Sequence, residues 1–233
     1  MPRLPGPPPV EITLRRSPQA RRLSLRVSGL DGRVTLTMPA RAREAEAMAF
    51  VRDREPWIRA ALARLPPLQT VAVGTVLPVE GAMLRVTAAA GRGAVRVEGE
   101  ALIVPGAAAG AGARVAAFLR LLARDRLAAA CDAHAARAGR RYVRLVLRDT
   151  RSRWGSCTAE GALMFNWRLA MAPPAVLDYV AAHEVAHLVR MDHSPAFWAE
   201  VERLRPGHAA DRAWLRRHGG ALHGWRFDTP AED

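Results

Sequence analysis

The sequence predicts an α+β fold in which a β-rich N-terminal region precedes a region that is richer in helix. Short β-prone runs separated by turn-forming residues recur along residues 10–104, on either side of one helical stretch at 42–65. A stretch of small residues at 106–112 then leads into a long helical pattern at 113–136. Half of the 233 residues are hydrophobic, which is enough for a packed core. We therefore predict two regions, 1–107 and 108–233.

The N-terminal region begins with three β-prone runs at 10–14, 23–27 and 34–38. Their partial alternation and short separations predict an antiparallel meander. Residues 42–65 follow with apolar side chains at helical spacing, interrupted by Pro56. A proline inside a helix loses a backbone hydrogen bond and clashes with the preceding turn. We therefore expect one kinked helix, or a pair of helices of which Pro56 opens the second.

More short strands are predicted on either side of the long helix. The β-prone runs before it are 71–79, 83–86, 94–97 and 101–104, and those after it are 144–148 and 162–166. We interpret the last two runs as the strands of a hairpin. The connection between them is unusually polar and reads Asp149-Thr150-Arg151-Ser152-Arg153-Trp154-Gly155-Ser156-Cys157.

The strongest chemical motif is His183-Glu184-Val185-Ala186-His187. Residues 175–190 are predicted to be a helix, so the two imidazoles lie one turn apart on the same face. A catalytic Zn²⁺ accepts such a pair at about 2.0–2.1 Å per bond, with a third protein ligand and one position left for water. Glu184 would then accept a proton from the attacking water and pass it to the leaving group. The pattern predicts a zinc-dependent metallopeptidase.

His193 is the predicted third ligand, because it follows His183 by ten residues and the chain can turn back after the helix. Ser194 as N-cap and Pro195 as the first helical residue place His193 at a corner between two helices. Rival ligands remain open at this stage. They are Glu200, Glu202 and His208. Two other interpretations are also open. One is a buried helix whose histidines only pack against their neighbours. The other is a structural metal site that a fourth protein ligand closes.

The polar connection is predicted to lie beside the cleft. An exposed strand there could align an extended substrate by strand addition, and Asn166 or an arginine could hold the carbonyl or oxyanion. The candidate substrate-binding residues are Arg153, Trp154, Ser156 and Asn166. Cys157 is a weaker candidate as a nucleophile, because no histidine lies near it in the sequence and the metal motif already supplies an attacking water.

Composition limits the other function classes. The net charge is +13 and all 35 cationic residues are arginine, which predicts weak, nonspecific association with nucleic acid at low salt. Aromatic residues for base stacking make up only 6% of the chain, and the arginines are spread along it. A non-enzymatic nucleic-acid-binding module therefore stays an alternative.

Cysteine usage and hydropathy bear on the compartment. Cys131 and Cys157 are the only cysteines, so we expect two free thiols in a reducing environment. The start of the chain has no apolar leader segment, and no stretch of 18 or more apolar residues is free of charge. We expect a cytoplasmic protein that does not enter a membrane, and the sequence leaves its oligomeric state open.

Several motifs together closely resemble the YgjP-like metallopeptidase family, which is similar to the SprT-like and WLM-type proteases. They are Arg151-Ser152-Arg153-Trp154-Gly155-Ser156-Cys157, Phe165-Asn166-Trp167-Arg168-Leu169, Pro173-Pro174, Tyr179-Val180, His183-Glu184-Val185-Ala186-His187, Asp192-His193-Ser194 and Phe197-Trp198. The resemblance also reaches the N-terminal half, through Val34–Pro39 and Trp57-Ile58.

The resemblance implies a zincin-like catalytic region at 108–233, with an active-site helix beside a small sheet. It also implies Zn²⁺ held by His183, His187 and His193, Glu184 as catalytic acid and base, and a protein or peptide substrate. Some members of this family have been assigned a pyrophosphatase activity on UTP. A metal-dependent nucleotide pyrophosphatase is therefore the alternative enzyme, since the same activated water could attack phosphorus.

Overall fold

The computed structural model describes residues 2–29, 32–63 and 68–227. The chain forms two compact units, Met1–Pro67 and Leu68–Asp233. Within the described ranges, several small sheets and six α-helices confirm the predicted α+β class. The predicted division after residue 107 falls inside the second unit, where the strands that precede it share one hydrophobic core with the helices that follow.

The first unit contains a four-stranded sheet with the order β1-β2-β4-β3. Its strands are β1 (Arg3–Leu4), β2 (Val10–Ser17), β3 (Ser24–Val27) and β4 (Val34–Pro39). The predicted antiparallel meander is wrong, because β2 and β4 pair in parallel while β3 pairs with β4 in the antiparallel sense. The side chains of Val34, Leu36 and Met38 are fully buried, so β4 takes the inner position and leaves the more exposed β3 at the edge.

Two helices follow the sheet, α1 (Glu44–Asp53) and α2 (Glu55–Ala63). Pro56 is the second residue of α2, so the two-helix form of the prediction is confirmed. Proline is tolerated there because the first turn has no intrahelical partner for its missing N–H. The end of the predicted helical run at 64–65 lies outside the described residues.

The second unit opens with short strands close to those predicted. They are β5 (Gln69–Thr70), β6 (Val76–Val79), β7 (Ala82–Ala89), β8 (Arg96–Glu98) and β9 (Ala101–Pro105). The last four form a sheet with the order β6-β7-β9-β8, while β5 pairs with the final strand, β13 (Trp225–Arg226). The long helix α3 (Ala111–Ala138) follows, and Leu119, Ala123 and Leu127 on one side are fully buried.

A three-stranded sheet lies next to the helices of the second unit. It consists of β10 (Arg144–Arg148), β11 (Gly155–Cys157) and β12 (Ala162–Asn166), in the order β10-β12-β11. The predicted hairpin between the first and last of these is wrong, because β10 and β12 pair in parallel. The polar connection instead contributes β11, which pairs with β12 in the antiparallel sense and forms an edge of the sheet.

The remaining helices complete the second unit. A 3₁₀ helix (Trp167–Met171) is followed by α4 (Pro174–Ala186), α5 (Pro195–Leu204) and α6 (His208–Leu222). The helix α4 packs against α3, α5, α6 and β11, which explains why it is almost wholly buried. Within the described residues, no helix has both the length and the apolar character needed to cross a bilayer.

Candidate metal centre

The helix α4 carries the first two histidines. It begins at Pro174 and ends at Ala186, four residues before the predicted end at Arg190. The reason is a tight turn in which the N–H groups of Leu188 and Val189 donate to carbonyls three residues back. His187 caps the helix but keeps helical dihedral angles of φ −65° and ψ −21°. Its ring therefore still follows that of His183 by one turn, with centroids 5.1 Å apart.

The corner between α4 and α5 brings in the third histidine. Ser194 is the N-cap of α5 and accepts a hydrogen bond from the N–H of Phe197, as predicted. Asp192 accepts hydrogen bonds from the N–H and hydroxyl of Ser194, which fixes the chain on both sides of His193. The Nε2 atoms of His193 and His183 are 3.2 Å apart. One nitrogen from each of the three histidines lies within 4.8 Å of the others.

These nitrogens fit a shared metal ion. Two nitrogens at about 2.0–2.1 Å from a tetrahedral ion are about 3.3 Å apart, close to the observed separation between His183 and His193. The Nδ1 of His187 donates to the carbonyl of Arg190 over 3.0 Å, which leaves its Nε2 lone pair for an ion.

An aromatic wall orients the ring of His183. The buried Nδ1 of this ring has no hydrogen-bond partner among the described residues. The ring instead contacts Phe197, Trp198 and Tyr179, with centroid separations of 5.0, 5.6 and 6.1 Å. Packing thus fixes the ring and leaves Nε2 directed at the shared centre.

The pKa values of His183 and His187 are lowered, which favours their neutral imidazoles. Burial, followed by the neighbouring His187 and His193, lowers the pKa of His183 to about 3. Burial also lowers the pKa of His187, although its bond to the carbonyl of Arg190 acts in the opposite direction. Neutral imidazoles keep the lone pairs that a metal ion requires, so both rings are in the form that can bind one.

Glu184 lies beside the cluster and is buried, with 5% of its surface exposed. Burial raises the pKa of its carboxyl group to about 8, and the positive charge of Arg153 opposes this. The carboxyl group packs against the backbone of β11 at Gly155. A Cβ atom at Gly155 would lie 2.5 Å from Oε1 and 2.6 Å from Cγ of Glu184. The missing side chain therefore makes room for the carboxyl group.

These groups line one cleft of about 490 Å³. Its lining residues are Ser152, Arg153, Gly155, Ser156, Cys157, His183, Glu184, His187, Met191 and His193. A wider groove of about 920 Å³ lies at the end of α3 and contains none of these groups. The cleft at the histidines therefore brings together the metal-binding candidates and the buried carboxyl group, and we take it as the candidate active site.

The predicted substrate-binding residues divide into two groups. Arg153 and Ser156 line the cleft, whereas Trp154 packs under α6, where its Cζ2 atom would lie 3.0 Å from a Cβ at Gly219. The amide of Asn166 donates to the carbonyl of Thr150 over 2.7 Å and accepts from the N–H of Arg168 over 2.9 Å. Its polar atoms hold the loop before β11 and do not line the cleft.

The rival ligands have other partners. Glu200 pairs with Arg203, and Glu202 accepts from the ring of His208. That ring is stacked between those of Tyr179 and Trp198. The cluster of side chains that could hold an ion consists of His183, His187 and His193, and it includes none of the three rivals.

Cys157 lines the cleft as a protonated thiol. Burial and then the charge of Glu184 raise its pKa to about 11. A nucleophilic cysteine needs a depressed pKa, so its surroundings weigh against that role.

Sequence reasoning gave no role to three lining residues, Ser152, Gly155 and Met191. Gly155 offered one signal, because an isolated glycine next to β-prone residues can mark a close approach of the backbone. Met191 offered none, since only the fold brings it to the cleft.

Comparisons with known proteins place the chain in a family. No curated protein matches it significantly. It is similar to the crystal structure of the metallopeptidase zymogen of Pyrococcus abyssi abylysin, at 25% sequence identity, over 42% of this chain and 92% of that chain, with a TM-score of 0.34. The family described as YgjP-like, metallopeptidase domain, matches residues 21–218. Since this match spans most of the chain, the protein belongs to the YgjP-like family of metallopeptidases.

Proposed function

We propose that the protein is a zinc-dependent peptidase in which His183, His187 and His193 hold the ion. The observation that carries this proposal is the meeting of three histidine nitrogens within 4.8 Å, beside a buried carboxyl group. Imidazole donors without a thiolate suit zinc, and three protein ligands leave a position open, as in catalytic zinc sites. The proposal extends the metallopeptidase character of the family to a particular ion and particular ligands.

Glu184 is the proposed acid and base. A zinc ion, when bound, supplies a Lewis acid that polarises the scissile carbonyl and makes water more acidic. Glu184 takes a proton from the attacking water and delivers it to the leaving amine. A carboxyl pKa raised by burial, to about 8 here, suits a group that must both accept and return a proton near neutral pH.

The open edge of β11 is the proposed substrate platform. The backbone groups of Trp154 and Thr158 form hydrogen bonds on the β12 side. Because Ser156 lies two residues from each of them, its backbone groups also point toward β12. In an antiparallel pair, alternate residues direct their N–H and C=O groups away from the partner strand. Gly155 and Cys157 therefore present these groups at the open edge, where an extended peptide could add as a further strand.

The experiment is cleavage of an unfolded protein by zinc-loaded wild type and by Glu184→Gln. The amide is nearly isosteric but cannot carry the proton, so turnover should fall by about a thousandfold or more while zinc content stays the same. Glu98→Gln, an exposed carboxylate on β8, is the matched control and should retain full turnover. A Glu184→Gln protein with wild-type turnover contradicts the proposed mechanism.

A second candidate is hydrolysis of UTP with release of pyrophosphate. It is favoured by Arg153, an exposed guanidinium that lines the cleft and could bind a phosphate. Pyrophosphate release by the wild type, lost in Glu184→Gln and without cleavage of unfolded protein, would favour this candidate. Cleavage of protein without pyrophosphate release favours the peptidase.

A further inference from the structure

The strand β11 presents one face to Glu184. A side chain at Gly155 would collide with the carboxyl group, so this residue marks the face that looks toward α4. Cys157 follows Gly155 by two residues in β11 and therefore lies on the same face, whereas Arg153 precedes the strand, on the other side of Gly155. Both line the cleft, and the charge of Arg153 lowers the pKa of Glu184. An arginine and a neutral thiol thus flank the proposed acid and base.

The two ends of the cleft differ. The Arg153 end lies near α6, because the neighbouring Trp154 packs against Gly219 of that helix. The Cys157 end lies near the turn after α4, where Leu188 would contact a Cβ at Gly161 at 3.5 Å. Met191 follows that turn, lines the cleft and is 52% exposed. The cleft is therefore cationic at one end and apolar at the other.

A second cation lies on the α6 side. The guanidinium of Arg212 lies 4.4 Å from the ring centroid of Trp198, and its charge contributes to the lowered pKa of His183. Within residues 68–227, neither Arg153 nor Arg212 has a carboxylate at salt-bridge distance. Asp149 pairs with Arg168, and Asp211 of α6 pairs with Arg205, so neither carboxylate neutralises these two cations. Arg153 is thus an exposed, unneutralised cation beside the proposed scissile bond.

We propose that the Arg153 end of the cleft is a subsite for an acidic side chain, so that the protein prefers peptides with Asp or Glu beside the cleaved bond. This inference rests on the proposed peptidase function. A peptide that extends along the β11 edge past Gly155 brings a side chain next to Arg153 in the same cleft, where opposite charges attract. An acidic peptide is favoured over a nucleic acid because Trp154, the aromatic residue nearest Arg153 in sequence, is half-buried against Gly219 and His223 and is not a fully exposed stacking platform.

The test is a binding measurement that does not depend on turnover. Zinc-loaded Glu184→Gln protein is titrated with extended peptides that differ only in Asp or Asn at one position, scanned along the peptide. At one position the Asp peptide should bind about two- to fivefold more tightly, the range of an exposed ion pair. Arg153→Gln should abolish this ratio, and Arg124→Gln, which removes an exposed charge on α3, should leave it unchanged. High salt should reduce the ratio because exposed charges are screened.

Charge reversal makes the assignment specific. Arg153→Glu should reverse the preference, so that an Arg peptide binds more tightly than the Asp peptide. An Asp preference that survives in both Arg153 variants overturns the subsite, as does displacement of the Asp peptide by a single-stranded oligonucleotide in wild type but not in Arg153→Gln.

Cleavage assays on the same peptides separate this inference from the proposed function. Cleavage by the wild type without any Asp preference overturns the subsite and keeps the peptidase. An Arg153-dependent Asp preference in binding, without cleavage of any peptide, supports the subsite and contradicts the peptidase.

Discussion

Gly155 and Glu184 meet at the floor of the cleft, and their contact decides where the carboxyl group lies. A methyl group at Gly155 would overlap the carboxyl group, so Gly155→Ala should displace Glu184 while the histidines stay in place. A displacement of about 1 Å can reduce catalysis about a hundredfold. We expect kcat to fall by that order with unchanged zinc content, measured by steady-state cleavage and elemental analysis.

The matched control for this substitution is Gly93→Ala. A Cβ at Gly93 would meet only ordinary contacts at 3.5 Å, so its kcat should equal that of the wild type. Gly155→Ala with wild-type kcat would show that Glu184 does not need this contact.

Burial of Glu184 also makes stability depend on pH in the metal-free protein. The folded carboxyl group keeps its proton to about pH 8, whereas the unfolded chain releases it near 4.5. Unfolding therefore releases a proton within this window, and stability falls as pH rises through it. Each pKa unit corresponds to about 1.4 kcal/mol, so the loss is at most about 5 kcal/mol.

Denaturant unfolding of the metal-free wild type and Glu184→Gln at pH 5 and pH 9 measures this effect. Between pH 5 and pH 9, the wild type should lose unfolding free energy relative to Glu184→Gln. A difference that is the same at both pH values would mean that Glu184 titrates normally in the fold.

Residues that act through local geometry could be read from the sequence. His183 and His187 face one point because helical spacing alone dictates it, and His187 keeps helical dihedral angles even though α4 ends early. The partners Gly155 and Met191 could not be found in this way. They reach the site through a sheet and a turn whose placement depends on long-range packing.

At the scale of elements, the corner between α4 and α5 positions His193, the proposed third ligand. The hydroxyl of Ser194 accepts from the N–H of Phe197 and donates to Asp192, which fixes the chain next to His193. Ser194→Ala should lower the unfolding free energy by about 1 kcal/mol, the usual effect of losing an N-cap. Zinc affinity should fall several-fold, since His193 is then held less firmly, as measured by competition with a chelator.

Ser194→Asn is the control for this prediction, because asparagine is as good an N-cap as serine. It should restore most of the stability and most of the zinc affinity. If Ser194→Ala and Ser194→Asn weaken zinc binding equally, the cap does not position His193.

The elements themselves were largely predictable, and their pairing was not. Alternation and turn residues located β2 to β4 and the strands from β6 to β9 to within a few residues. The predicted meander and hairpin were wrong for one reason. Neighbours in sequence were assumed to pair, whereas the well-buried strands β4 and β12 each take the inner position of their sheet. Strand order depends on burial across the whole unit, which local patterns do not report.

At the scale of the whole molecule, the net charge of +13 predicts weak binding to polyanions. Binding to single-stranded DNA should be measurable at low salt and should weaken steeply as salt increases, because it arises from counterion release. The metal-free His187→Ala protein should bind in the same way, since the arginines are spread over the surface. Fluorescence anisotropy over a salt series measures this, and binding that resists high salt or requires zinc would contradict it.

The three-histidine centre is tested most directly by the metal content of protein purified without added metal. We expect about one zinc ion per chain in the wild type. We expect the same in Glu184→Gln, because this substitution leaves all three histidines in place. His187→Ala and His193→Ala should lose the ion, while His218→Ala, which removes a ring tilted against that of Trp214, should keep it. A wild type without stoichiometric metal, or a His193→Ala protein that keeps its zinc, would contradict the proposed centre.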